Sequence, residues 1–308
     1  MRERLNSLGA RTTPCYGFLV LVVALAFAGL LCLRYTSVQS IASRAATYRG
    51  IRLNGATVLW LLPEAALHSE RTIQIANYTF WIGSLLWLAN LLLPWTSWLS
   101  CLSFMSVVAL QFENSNGMHH AANMISGLLF VSAIWYHFYA REIRAAMSAR
   151  ALFRSPVYPR WVYLLSVCYV SLFYASAGFS KIATSGLGWV NGVSLQLWVF
   201  LWGDRTSTVA TTILSSRNAA TVFQGCTLLL EVSTILAIPF ARLRPWIGLA
   251  LLGFHHGISE VFHYEFDFNA ILLALVLLPF LPVVSMLGKR IWPDLPQNAQ
   301  PVAAIPKP

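Results

Sequence analysis

The sequence predicts an all-α fold: a polytopic integral membrane bundle of about eight transmembrane helices. Three observations lead there. Hydrophobic residues fill 57% of the 308 positions and charged residues only 10%, whereas soluble domains carry about a quarter charged residues. The apolar residues gather into runs of roughly 18 to 22, each long enough to cross a hydrocarbon core of about 30 Å. The arginines cluster between these runs, as expected when basic loops stay on the cytoplasmic side of a membrane.

The first run, 16–33, follows the basic segment MRERLNSLGAR and reads as an uncleaved signal-anchor, because no polar cleavage region follows Leu33. Residues 1–15 are then a cytoplasmic N-terminal segment. GATVLWLLPEAALH, residues 55–68, is too short to span and carries Pro63 and Glu64, so it reads as an interfacial or re-entrant piece. Runs 76–93 and 95–112 flank Pro94. Run 121–139 follows QFENSNGMHH, and run 161–183 follows Pro159-Arg160. The connection from Ala183 to Ala219 is the long one, and its VSLQLWVFLW stretch reads as a membrane-interface segment. Runs 220–240, 245–264 and 267–286 complete a transmembrane domain over 16–288. The Pro- and Gln-rich tail, 289–308, reads as a disordered cytoplasmic end.

The loops set the expected orientation. With the N-terminus inside, Arg141, Arg144, Arg150, Arg154 and Arg160 lie inside, as do Arg242, Arg244 and the Lys289-Arg290 pair. The QFENSNG and EVFHYEFDF loops are acidic and lie outside. Arg34, Arg44, Arg49 and Arg52 fall outside in this scheme, against the rule. The net charge of +10 is thus accounted for by loop placement, which argues against a nucleic-acid partner and for membrane lipid. Cys15, Cys32, Cys101, Cys168 and Cys226 are scattered, with no C-x-x-C. They predict small apolar core residues, neither a disulfide framework nor a metal site.

Ionisable groups inside apolar runs are costly and point to function. In the expected topology they collect toward one leaflet. His119 and His120 start the fourth run, and Lys181 ends the fifth. Glu231 lies about 11 residues into the sixth, roughly 16 Å deep at 1.5 Å per residue. His255 and His256 sit within the seventh, with Glu260 and His263 beyond them. This predicts one polar cavity opening outward. Lys181 is the only lysine among the first 288 residues. It reads either as a snorkelling interface residue or as an amine whose proton affinity falls on desolvation. Glu231 reads as a protonated, backbone-bonded carboxyl, as a counter-ion or as a proton acceptor. Adjacent histidines point about 100° apart, so one of each pair faces the cavity. Haem ligation by these pairs is a weaker reading, and no H-x-x-x-H metal motif occurs.

The residues around the lysine carry a resemblance. Ala177-Gly178-Phe179-Ser180-Lys181-Ile182, followed by Gly186-Leu187-Gly188-Trp189-Val190-Asn191-Gly192, looks like the A-G-x-x-K-(I/L) and G-x-x-W-x-x-G pattern of the HTTM domain. That domain is the membrane part of vitamin K-dependent gamma-glutamyl carboxylase and its bacterial relatives. NGMHHAAN (116–123), Glu231 and FHHGISEVFHYEFDF (254–268) add to the likeness, which covers about residues 15–286.

The resemblance implies that Lys181 is a base toward a reduced, vitamin K-like quinone, with His119 or His120 as proton partner and Glu231 as a relay. It also implies a cofactor pocket involving Gly178, Trp189 and one of His255 or His256. The chain departs from the pattern at Ser180, where the carboxylase has a second lysine, and no counterpart of the carboxylase's large lumenal domain stands in these 308 residues. The expectation is therefore a multi-pass protein of a prokaryotic cytoplasmic membrane that binds a quinone-like molecule, short of a full gamma-carboxylase. The alternative is a non-enzymatic membrane component that assists export or maturation of a secreted peptide, beside a partner membrane protein.

Overall fold

A computed structural model of the chain describes residues 14–36, 66, 69–113, 120–147, 159–263 and 266–278. All regular structure among them is helical, in ten α-helices. These are α1 (Pro14–Tyr35), α2 (Glu70–Leu88), α3 (Trp95–Glu113), α4 (His120–Met147) and α5 (Arg160–Ser185), followed by α6 (Val193–Trp202), α7 (Thr208–Ser215), α8 (Arg217–Ser233), α9 (Arg244–Phe262) and α10 (Asp267–Leu277). Short 3₁₀ turns follow α5 (Gly186–Trp189) and α8 (Thr234–Ala237). Among the described residues three segments are long and apolar enough to cross a membrane: Ala121–Arg144, Trp161–Trp189 and Arg217–Ala237.

Within the described residues each apolar run expected to span overlaps a helix, but several ends differ, and the last run, expected at 267–286, is helical over Asp267–Leu277 and described only to 278. The run expected at 76–93 is the helix Glu70–Leu88. It starts early, where polar side chains find partners. Gln74 Nε2 donates to Glu70 Oε1 at 2.9 Å, and Asn77 Nδ2 reaches Thr36 Oγ1, just past α1, at 3.1 Å. It ends early because Asn90 and Leu92 adopt positive φ and turn the chain. The fourth helix runs on to Met147 across a kink at Tyr139. The sixth run tightens to 3₁₀ from Thr234, and its expected last residues, 238–240, are no longer helical. The re-entrant reading of 55–68, residues beyond 278 including the 289–308 tail, and Arg44, Arg49, Arg52, Arg150 and Arg154 lie outside the described residues.

Large aromatic rings sit at the centre of the core. Trp87, Trp135, Phe80 and Phe104 are fully buried among α2, α3 and α4, and Trp87 meets Tyr136 edge-on at 5.3 Å. Small residues let helices approach. A Cβ on Gly83 would stand 2.9 Å from the Ser100 nitrogen, and beside it Ser84 and Ser100 share a hydrogen bond of 2.6 Å. A second, smaller cluster of Val199, Ala210, Ile213, Ala220 and Val261 joins α6, α7, α8 and α9. The outward surface is apolar as well. On α2 the residues Ile75, Tyr78, Ile82 and Leu85 are all exposed, a stripe at helical spacing of the kind that water-soluble monomers seldom leave bare.

Arg244 shows how this bundle holds a cation for structure alone. It is buried, and its Nε donates to the Ala237 carbonyl at 2.8 Å while a terminal nitrogen donates to that of Ile238 at 3.1 Å. Both carbonyls belong to the end of the 3₁₀ turn, where the helical ladder leaves acceptors open. The guanidinium also lies 5.6 Å from the Tyr163 ring centre. Arg244→Met keeps the stem but removes both donors. It is expected to destabilise the fold by about 1–3 kcal/mol, read as a lower unfolding midpoint in lipid nanodiscs, with Arg244→Lys falling between.

Candidate functional site

The site is built where the C-terminal half of α5 packs antiparallel on α8. Gly178 makes the approach close enough: a Cβ there would stand 2.8 Å from Val232 Cγ2 and 3.1 Å from Glu231 Cβ. The Thr234 hydroxyl fixes the register through contacts with the Ser171 carbonyl at 2.8 Å and the Glu231 carbonyl at 2.7 Å. Helical side chains lean toward the helix N-terminus. Lys181 therefore points back along α5, away from the surface turn, and meets Glu231. Its Nζ donates to both carboxylate oxygens at 2.5 Å. The Glu231 side chain is 7% exposed and that of Lys181 28%.

The turn after α5 completes the lysine's surroundings. Gly186 and Gly192 both adopt positive φ, 57° and 78°, which glycine takes at least cost. At Gly192 a Cβ would also stand 2.6 Å from the Arg217 carbonyl. Between them Trp189 is brought back so that Lys181 Nζ lies 5.1 Å from its ring centre, a cation–π contact worth roughly 0.5–2 kcal/mol. Gln224, buried on α8, pins the turn: its Oε1 accepts from the Gly192 N–H at 2.6 Å and its Nε2 donates to Ser194 Oγ at 2.8 Å.

The pair faces a cavity of about 590 Å³, within the range of small-molecule sites. Its wall is largely aromatic and aliphatic, with Phe173, Trp189, Trp198, Phe223 and Phe254 among the lining residues. The expected polar cavity is thus an apolar one with a few placed polar groups. His255 on α9 is one of them. It is buried, lines the cavity, and its Nε2 meets the Tyr174 hydroxyl at 2.6 Å. His256 points elsewhere: it is exposed and is not part of the lining. Gly178 is not part of the lining either, and acts through helix packing. His119 lies outside the described residues, and of His120 only the backbone, at the start of α4, is described. Among the described residues no group of three or more His, Cys, Asp and Glu side chains is placed to hold a metal ion.

Sequence reasoning passed over Tyr174, Gln224 and Asn269, all on the cavity wall. Tyr174 was within reach, since it stands seven residues before Lys181 and so shares its helix face. Asn269, an amide in an apolar run, carried a weaker signal.

Helices α6 and α7 cover the cavity, contributing Leu195, Trp198, Val209 and Ile213. The loop between them is latched to the end of α9. The Asp204 N–H donates to the Val261 carbonyl at 2.7 Å, and the Asp204 carboxylate meets His263 Nε2 at 2.8 Å. His263 itself is in the left-handed conformation that ends α9. The backbone N–H and the hydroxyl of Thr206, with a smaller contribution from His263, hold the Asp204 carboxyl below its ordinary 3.8.

No family model, curated protein or solved structure matches the chain.

Two outcomes test this geometry. Gly178→Ala should force α5 and α8 apart at the lysine–glutamate pair and destabilise the fold by about 1–3 kcal/mol. Gly188→Ala, whose Cβ meets nothing within 4 Å, should leave the unfolding midpoint unchanged. For the latch, a lowered carboxylate pKa means its contribution is complete above the ordinary value of 3.8 and fades only as pH falls through the lowered one. Amide exchange at residues 203–207, corrected for intrinsic rates, should stay protected from neutral pH to about pH 4. Asp204→Asn should raise it across that range.

Proposed function

We propose that the chain is an HTTM-type multi-pass membrane protein, related to the membrane half of vitamin K-dependent gamma-carboxylase, that holds a quinone-like ring in the α5–α8–α9 cavity. One observation carries this reading: the chain's lone intramembrane lysine is paired with a buried glutamate on the wall of an aromatic-lined cavity of ligand size. The lysine is the one that completes the A-G-x-x-K-I motif. The exposed apolar stripe on α2 and the three long apolar segments support a membrane setting. In this reading the eight apolar runs span a prokaryotic cytoplasmic membrane, both termini are cytoplasmic, and the cavity opens to the outer leaflet.

The chemistry follows from the pair. In an apolar site an ammonium and a carboxylate lose much of their hydration, which brings the neutral amine–carboxylic acid pair closer in free energy to the ion pair. A proton passed from Lys181 Nζ to Glu231 leaves an amine able to accept another from a ring hydroxyl. Trp189 and the aromatic wall would hold the ring and exclude water. A reduced quinone, when bound, supplies the acidic hydroxyl and the reducing electrons. Lys181 and Glu231 supply the place for its proton.

The test uses menadiol under anaerobic conditions, with purified protein in nanodiscs and with Lys289 and Lys307 replaced by arginine. Saturating menadiol should slow amine-reagent labelling of Lys181 several-fold. Unchanged labelling across the solubility range of menadiol would overturn the reading and turn attention to the export-assisting alternative.

A further inference from the structure

The cavity has a second polar pole that the lysine motif does not account for. Tyr174 on α5 and His255 on α9 are both buried, at 4% and 5% exposure, and are joined by the 2.6 Å contact within the wall. The Phe266 ring lies 4.7 Å from that of His255, centre to centre. Asn269 on α10 lines the same cavity at 1% exposure, and its Oδ1 has no hydrogen-bond partner. A buried side-chain amide without a partner costs about 1–3 kcal/mol, so a fold that retains one beside a cavity has room for a ligand that satisfies it. Tyr174 and Lys181 leave the same face of α5 two turns apart, about 10 Å along the axis.

Building on the quinone-like reading above, we infer that Tyr174, His255 and Asn269 form a second hydrogen-bonding subsite, which takes the far oxygen of a ring whose near oxygen meets Lys181. The ligand class is then narrowed to flat aromatics oxygenated at both ends. Both poles line the one cavity, so a ring with an oxygen at each end can offer a hydrogen-bonding group of about 2.8 Å reach to either. All three groups can serve. The amide offers both a donor and an acceptor, and either the tyrosine hydroxyl or the histidine ring can be the donor in their contact, according to the histidine tautomer, so the subsite accommodates a hydroxyl or a carbonyl. A monophenol would satisfy only one pole and leave the other desolvated.

The two ends are separated by comparing 1,4-dihydroxynaphthalene with 1-naphthol, both anaerobic, by equilibrium dialysis against the protein in nanodiscs. Wild-type protein should bind the diol about tenfold more tightly, the effect of one good hydrogen bond. Tyr174→Phe and Asn269→Leu should each reduce that ratio toward one and leave 1-naphthol affinity within about twofold, since they do not touch the Lys181 end. If wild-type protein binds both compounds equally, the second subsite is overturned while the ring-binding reading stands. That comparison needs no variant to fold. A ratio kept in both variants also overturns the subsite, and binding of neither compound overturns subsite and ring-binding reading together.

Discussion

The contact between Lys181 and Glu231 is the constraint from which the rest of the site follows. Two ions taken out of water cost several kcal/mol each unless they are brought together with good geometry. Here the requirement falls on two different helices, α5 and α8, and packing meets it. Gly178 removes the side chain that would hold the helices apart, and Thr234 ties their registers. Trp189 comes back over the ammonium only because two glycines permit the turn that carries it. The G-x-x-W-x-x-G segment is therefore one device: its outer glycines bend the chain and its tryptophan covers the charge.

The cover over the cavity rests on the same logic at lower energy. Helices α6 and α7 are short, and their small cluster with α8 and α9 buries only five residues fully. Short helices with small cores depend on their ends. Gln224 holds the start of α6, Asp204 and His263 hold the loop before α7, and the Ser207 hydroxyl caps α7. Leu195, Trp198, Val209 and Ile213 turn the apolar faces of these two helices to the cavity.

Much of this was legible in the sequence, and for physical reasons. Apolar runs favour buried helices, and within the described residues each such run overlaps one. The ends moved where polar residues found partners that no hydropathy window sees, as with Asn77 reaching Thr36. Lys181 and Glu231 stood out because ionisable groups are rare inside apolar runs. Glu231 as the counter-ion was one of three readings, and the sequence could not choose among them, since the pairing depends on the register of two helices 50 residues apart. One histidine of the 255–256 pair was expected to face inward, and burial selects His255. Tyr174 and Asn269 escaped because uncharged polar residues are common in such runs. Only a three-dimensional neighbourhood shows which of them line a cavity.

Among the described residues, the buried Arg244 and the part-buried Lys181 have opposite surroundings, and the contrast bears on why one is lysine. Arg244 is surrounded by backbone carbonyls and an aromatic ring. Those acceptors take no proton, and guanidinium gives none up at any accessible pH. It is a fixed charge with a fixed structural task. Lys181 is set against a carboxylate, a group that can take its proton, on the wall of a cavity that can receive a ligand. Arginine at that position would hold Glu231 at least as firmly, through two parallel hydrogen bonds. What it would remove is the neutral state of the pair. Arginine serves nearly every other basic position outside the two C-terminal-tail lysines, so the choice of lysine at this one position, set against a buried glutamate, fits a site where the proton has to move.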